Sequence, residues 1–141
     1  GTEIIGAFLA RELAKEGHTS INSGKDICVI TPETNANNQM IFRDNIQKHV
    51  FNKQILLLIS SASTGKTINR SVECLQYYNG QLAGVASIFS AINEHNGIQI
   101  NSIFTSEDLN NYETMSAHDC KLCKSGQKVD AIINSFGYSK I

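Results

Sequence analysis

Apolar residues recur at Ile5, Phe8, Leu9 and Leu13, with Arg11, Glu12, Lys15 and Glu16 between and beyond them. That spacing predicts an amphipathic helix over 3–16, closed by Gly17. Asp26 to Thr31 (DICVIT) predicts a short buried strand, stopped by Pro32. Residues 33–39 are polar and asparagine-rich, long for a connection and placed to cover a site. Met40-Ile41-Phe42-Arg43-Asp44 then reads as a strand or hairpin. Ile55 to Ile59 is an unbroken apolar run, a buried strand. After it, Ile68, Val72 and Leu75 stand at i, i+4 and i+7, a helix that Asn79-Gly80 stops after about Tyr78. Leu82 to Phe89 predicts another buried strand, and the alternation over Ile98 to Phe104 an edge or half-buried one. Ser106-Glu107-Asp108-Leu109 starts a short helix with acids in its first turn. From Asn110 the tail is polar, with a last helical turn or two expected over Val129 to Phe136. Strands alternating with helices predict an α/β fold, a mainly parallel sheet flanked by helices, in one domain over 1–141.

Between the strand at 55–59 and the helix lies Ser60-Ser61-Ala62-Ser63-Thr64-Gly65-Lys66-Thr67. The order is buried strand, small hydroxyl-rich loop, helix start. A helix N-terminus carries unpaired N–H groups and partial positive charge, so it takes phosphate well. The hydroxyls add donors, Gly65 allows close backbone approach and Lys66 supplies a cation. All eight residues are therefore candidate phosphate-binding residues. The plain alternative is a helix cap that holds nothing.

Composition narrows the classes. With 141 residues, 41% of them hydrophobic and 18% charged, the chain can bury a core. A formal charge of −1 and the lack of a basic tract argue against a nucleic-acid partner. No run is long enough to span a membrane, and a cytoplasmic protein is expected. The sequence opens Gly1-Thr2-Glu3 directly into a helical pattern, so a preceding segment is expected to be missing. Of four cysteines, Cys28 and Cys74 fall in apolar segments where buried thiols are ordinary. Cys120-Lys121-Leu122-Cys123 with His118 offers at most three of the four ligands a closed zinc site needs. Redox chemistry is not expected there, because no strand leads this CxxC into a helix. Glu94-His95 reads as a solvated turn, Arg43-Asp44 as an exposed ion pair, and Tyr77-Tyr78 as packing or a subunit contact.

Ile55 to Thr67 resembles the phosphoribosyl-pyrophosphate motif of the type I phosphoribosyltransferase family, with Ser63 to Thr67 as its loop. Gly80-Gln81-Leu82-Ala83-Gly84-Val85 is similar to the family's helix-to-strand segment. Gln39 to Phe42, Ile103 to Leu109 and Cys120 to Gly126 resemble parts of the orotate phosphoribosyltransferases. The resemblance implies a phosphoribosyl or nucleotide phosphate held at 60–67, and magnesium accompanying phosphoribosyl pyrophosphate. It also implies a homodimer, a pyrophosphate loop drawing on Gly1, Thr2 and Glu3, and closure of the 33–39 loop over the site. Three departures bear on activity. No carboxylate stands at Ile59, Ser60 or Ser61, where the family has an acidic pair. No base lies in 33–38, and Ser90-Ala91-Ile92 replaces a D-R-Q segment. A hydroxyl cannot supply the charge that a cationic transition state needs, so a phosphate-binding relative without transfer is expected. The alternatives are an active transferase, its catalytic residues unassigned, and a P-loop nucleotide-binding protein. Against the last, Ser60 replaces the leading glycine of its GxxxxGK[ST] run.

Overall fold

The computed structural model describes residues 1–15, 25–37, 39–116, 118–134 and 136–141. Two compact units divide it, Gly1–Asn110 and Asn111–Ile141. The first unit opens with helix α1 (Glu3–Leu13), which has no buried residue. Its expected apolar face stays outside: Ile5 is 41% and Phe8 58% exposed. The close approach is made instead at Gly6, where an added Cβ would come 3.1 Å from Val29 and 3.6 Å from Leu58. A small residue lets the backbone near its neighbours, and the bulky Ile5 and Phe8, one and two residues away, are turned outward. The predicted end at Glu16-Gly17 lies outside the described residues.

Asp26 to Thr31 is not a strand, contrary to the expectation from its apolar run. It pairs with no ladder, and Ile27 and Val29 remain 37% and 43% exposed. Cys28 is exposed too, its Sγ 3.4 Å from His49 Nδ1. The expected hairpin does form, from β1 (Glu33–Thr34) and antiparallel β2 (Met40–Ile41). Arg43 clamps it through two hydrogen bonds to the Glu33 carboxylate, 2.8 and 2.6 Å, so its partner is Glu33 and not Asp44. A short helix, α2 (Asp44–Gln47), follows.

The centre of the unit is β3 (Gln54–Ala62), α3 (Lys66–Tyr77) and β4 (Gln81–Ser90), with β3 and β4 parallel. Then come β5 (Glu94–His95) and β6 (Ile98–Thr105), which leads into a 3-10 turn at Ser106–Asp108. The sheet order is β3-β4-β6-β5, with β6 parallel to β4 and β5 antiparallel to β6. Asn96 and Gly97 both adopt positive φ, 52° and 78°, which is the two-residue turn that Asn-Gly favours between antiparallel strands.

Helix α3 joins two apolar clusters. Ile68 meets Ile59, Ala62, Val85 and Ile100, with Val72 packed alongside. One turn and more further on, Cys74 and Leu75 meet Phe42 and Val50, with Ile30, Met40 and Ile46 around them. Burial raises the pKa of the Cys74 thiol. The predicted periodicity therefore describes the real buried face. Tyr78 extends the second cluster, with its ring edge-on to Phe42 at 5.3 Å and its hydroxyl accepting the Phe42 N–H at 3.2 Å. Asn79, at φ 56°, turns the chain, and Gly80 N–H returns to the Leu75 carbonyl at 2.7 Å.

In the second unit, α4 (Lys121–Lys124) precedes a hairpin of β7 (Ala131–Asn134) and β8 (Gly137–Lys140). The helical turn expected over 129–136 is thus a strand and its turn. The β-branched pair Ile132-Ile133 favours extended backbone, and Gly137 at φ 129° supplies a conformation closed to other residues. Among the described residues, no helix is long and apolar enough to cross a membrane.

Candidate functional site

The turn between β3 and α3 is shorter than its sequence suggests. Strand β3 continues through Ser60, Ser61 and Ala62, with Ser61 opposite Phe89 and Ala62 opposite Ser90. Backbone pairing is indifferent to side-chain polarity here. The expected loop at 60–67 is therefore corrected: Ser60 to Ala62 are strand, Ser63 to Gly65 the turn, and Lys66 and Thr67 the first helical residues.

Gly65 makes this geometry possible. It is the N-cap of α3 at φ 75° and ψ −2°, and it is buried. Its carbonyl accepts the Asn69 N–H at 3.0 Å, the first bond of the helix. Among the described residues no side chain caps the helix, despite the two hydroxyl residues before it. The N–H groups of the first turn consequently lack both an intrahelical and a side-chain acceptor. Around them lies a cleft of about 110 Å³ lined by Ser61 to Ile68. Its lining residues include four with hydroxyl side chains, together with Gly65 and Lys66. The cleft unites seven of the eight predicted residues; Ser60, exposed on the strand, is not part of its lining.

His95 is the residue that the sequence reading missed. A Cβ added to Gly65 would lie 2.3 Å from the His95 ring. The ring thus fills the space that glycine leaves open. His95 Nε2 is 2.9 Å from Asn69 Oδ1, which also accepts from Asn96 Nδ2 at 3.1 Å. The β5–β6 hairpin thereby braces the first turn of α3, and Glu94-His95 is a strand rather than a solvated turn. Asn96-Gly97 was the available signal, because that dipeptide marks a hairpin.

Gly1, Thr2 and Glu3 make a different set of contacts. Thr2 is the N-cap residue of α1, and the Glu3 carboxylate accepts the Thr31 hydroxyl at 3.4 Å. These contacts give the three residues no hydrogen bond to the 63–67 turn.

Among the described residues no three His, Cys, Asp or Glu side chains gather where they could hold a metal ion. The cleft lining itself contains no carboxylate.

In class, this is an α/β unit with an open helix start at the end of a parallel strand. A scan against protein-family models found no match, and neither did a search of the curated proteins.

Proposed function

We propose that this chain binds the phosphate of a phosphoribosyl or nucleotide ligand in the turn Ser63 to Thr67, without transferring the phosphoribosyl group. The supporting observation is the uncapped start of α3 inside a small polar cleft. First-turn amides and the 63, 64 and 67 hydroxyls would donate to phosphate oxygens, and Lys66 would add charge. A turn this short cradles one phosphate group. The family resemblance over Ile55 to Thr67 points to a ribose 5-phosphate as the group carried.

The same cleft argues against catalysis. Cleavage at the ribose C1 leaves positive charge on the sugar, which needs anionic side chains nearby; the lining supplies none. Nor do these residues fit a resident magnesium ion, so any magnesium would arrive on the ligand's own diphosphate. The P-loop alternative is disfavoured by β3, which occupies the first three positions of the run that would have to curl around a phosphate. A homodimer belongs to this reading through the resemblance, and light scattering measures it.

Calorimetric titration with ribose 5-phosphate and with phosphoribosyl pyrophosphate, with and without magnesium, tests the proposal. The expected result is saturable binding of both, competed by inorganic phosphate, with no pyrophosphate released when orotate or another base is added. Absence of binding would overturn the phosphate site. Pyrophosphate release would instead make the chain an active transferase.

A further inference from the structure

The second unit contains a pair of thiols that the phosphate reading does not use. Cys120 and Cys123 are both free, Cys123 exposed and Cys120 partly so. This CxxC opens a helical turn, and, as the sequence led one to expect, no strand leads into it. Cys120 is the N-cap of α4 at φ −63° and ψ 108°, and its Sγ accepts the Cys123 N–H at 3.4 Å. The extended backbone at Cys120 swings its thiol back over the turn toward Cys123.

The turn is held at both ends. Lys124 N–H bonds the Cys120 carbonyl at 3.1 Å and Ser125 N–H the Lys121 carbonyl at 3.0 Å. Beyond them, Gly126 at φ 77° reverses the chain, and Gln127 N–H returns to the Leu122 carbonyl at 2.9 Å. Ion pairs from Lys121 to Glu113 at 3.5 Å and Lys124 to Asp119 at 4.0 Å tie the turn to the preceding segment. Two thiols three residues apart are thus kept in one turn, with the Cys120 sulfur folded onto the Cys123 backbone.

We propose that Cys120 and Cys123 are a reversible dithiol–disulfide site, with Cys120 the attacking thiol and Cys123 the resolving one. Electrostatics divides the roles in the same direction. The Cys123 amide and thiol, with the charge of Lys124, lower the Cys120 pKa, while the developing Cys120 thiolate raises that of Cys123. The co-reactant is a low-molecular-weight disulfide. Cys120, as thiolate, attacks one of its sulfurs; the S–S bond breaks and one thiolate leaves with the electron pair. Cys123 loses its proton to solvent and attacks the Cys120 sulfur, releasing the second small thiolate. Two protein thiols are oxidised and one small disulfide is reduced to two thiols.

Oxidised glutathione, applied to the full chain, tests this. The expected result is a fall in free thiols from four to two. A glutamate-specific protease cuts after Glu113 and trypsin after Lys121 and Lys124, so the new bond appears as the Cys120 peptide 114–121 linked to the Cys123 peptide 122–124, both free of Cys74. Dithiothreitol restores all four thiols. Cys123→Ser should stop at a glutathione adduct on Cys120, and Cys120→Ser should slow adduct formation at Cys123 at least about tenfold. Serine caps a helix well, so that loss would not reflect a melted turn. Adducts first on Cys123, oxidation confined to Cys28, or thiols that react only after a chelator is added would each overturn the proposal.

Discussion

Strands β3 and β6 run parallel to the same central strand, and each leads into a helical turn whose start carries hydroxyl residues. After β6, the turn satisfies itself. Thr105 Oγ1 accepts the Glu107 N–H at 3.3 Å, and Asp108 Oδ2 accepts the Thr105 N–H at 2.7 Å, a complete capping box. After β3, Ser63 and Thr64 cap nothing, and a glycine in left-handed conformation stands at the N-cap. Even the central strand closes its own end, where the buried Ser90 hydroxyl donates to the Ile92 carbonyl at 2.6 Å. Hydroxyl content is thus a poor guide to a ligand site. What distinguishes the β3 end is donors without acceptors, held in place from outside by the His95 ring.

The sharpest way to break this contrast is at Gly65. In Gly65→Ala the methyl group meets both an unfavourable φ of 75° and the His95 ring. Denaturant unfolding should show a loss of about 2–3 kcal/mol, and phosphate binding should disappear. Placed on His95→Ala, the same change should cost only the backbone part, about 1–2 kcal/mol, leaving a coupling of about 1 kcal/mol. Equal costs in the two backgrounds would mean that the ring does not brace the turn.

Lys66→Ala addresses the ligand without disturbing the fold. The residue is exposed at the first helical position, so stability should change by less than about 0.5 kcal/mol. Losing one charge-assisted contact should weaken ribose 5-phosphate binding about tenfold, and added salt should narrow the gap between the two proteins. Unchanged affinity would put the phosphate elsewhere.

How much of this was readable beforehand follows from which signals depend on one element alone. The β3–α3–β4 unit was legible because Ile55–Ile59 and Leu82–Phe89 are apolar runs that do form strands, although only Ile59, Val85 and Ser87 of them are buried and Leu56 stays 43% exposed, and because Ile68, Val72 and Leu75 mark a true helical face. Extended propensity without a neighbouring strand does not make a ladder, which is why Asp26–Thr31 failed. Small residues misled twice. At Ser60–Ala62 they lie in a strand, and at Gly6 they form the contact that Ile5 and Phe8 were expected to make. Of the site, the turn could be read locally, whereas His95 reaches it across 30 residues, through a hairpin that Asn96-Gly97 foreshadows.

The smallest effect is expected at the closed turn, where the comparison is sharpened. Asp108→Ala removes the carboxylate that accepts the Thr105 amide and hydroxyl, at 2.7 and 3.2 Å. The cost should be about 0.5–1 kcal/mol, as for other exposed caps. Although it frees donors at the end of a parallel strand, no cation and no buried glycine accompany them there. Inorganic phosphate should therefore stabilise Asp108→Ala and the parent chain equally in thermal unfolding. If the variant instead gains a second phosphate site, unpaired donors alone are enough to bind phosphate, and the bracing of Gly65 by His95 would not be what sets the β3 end apart.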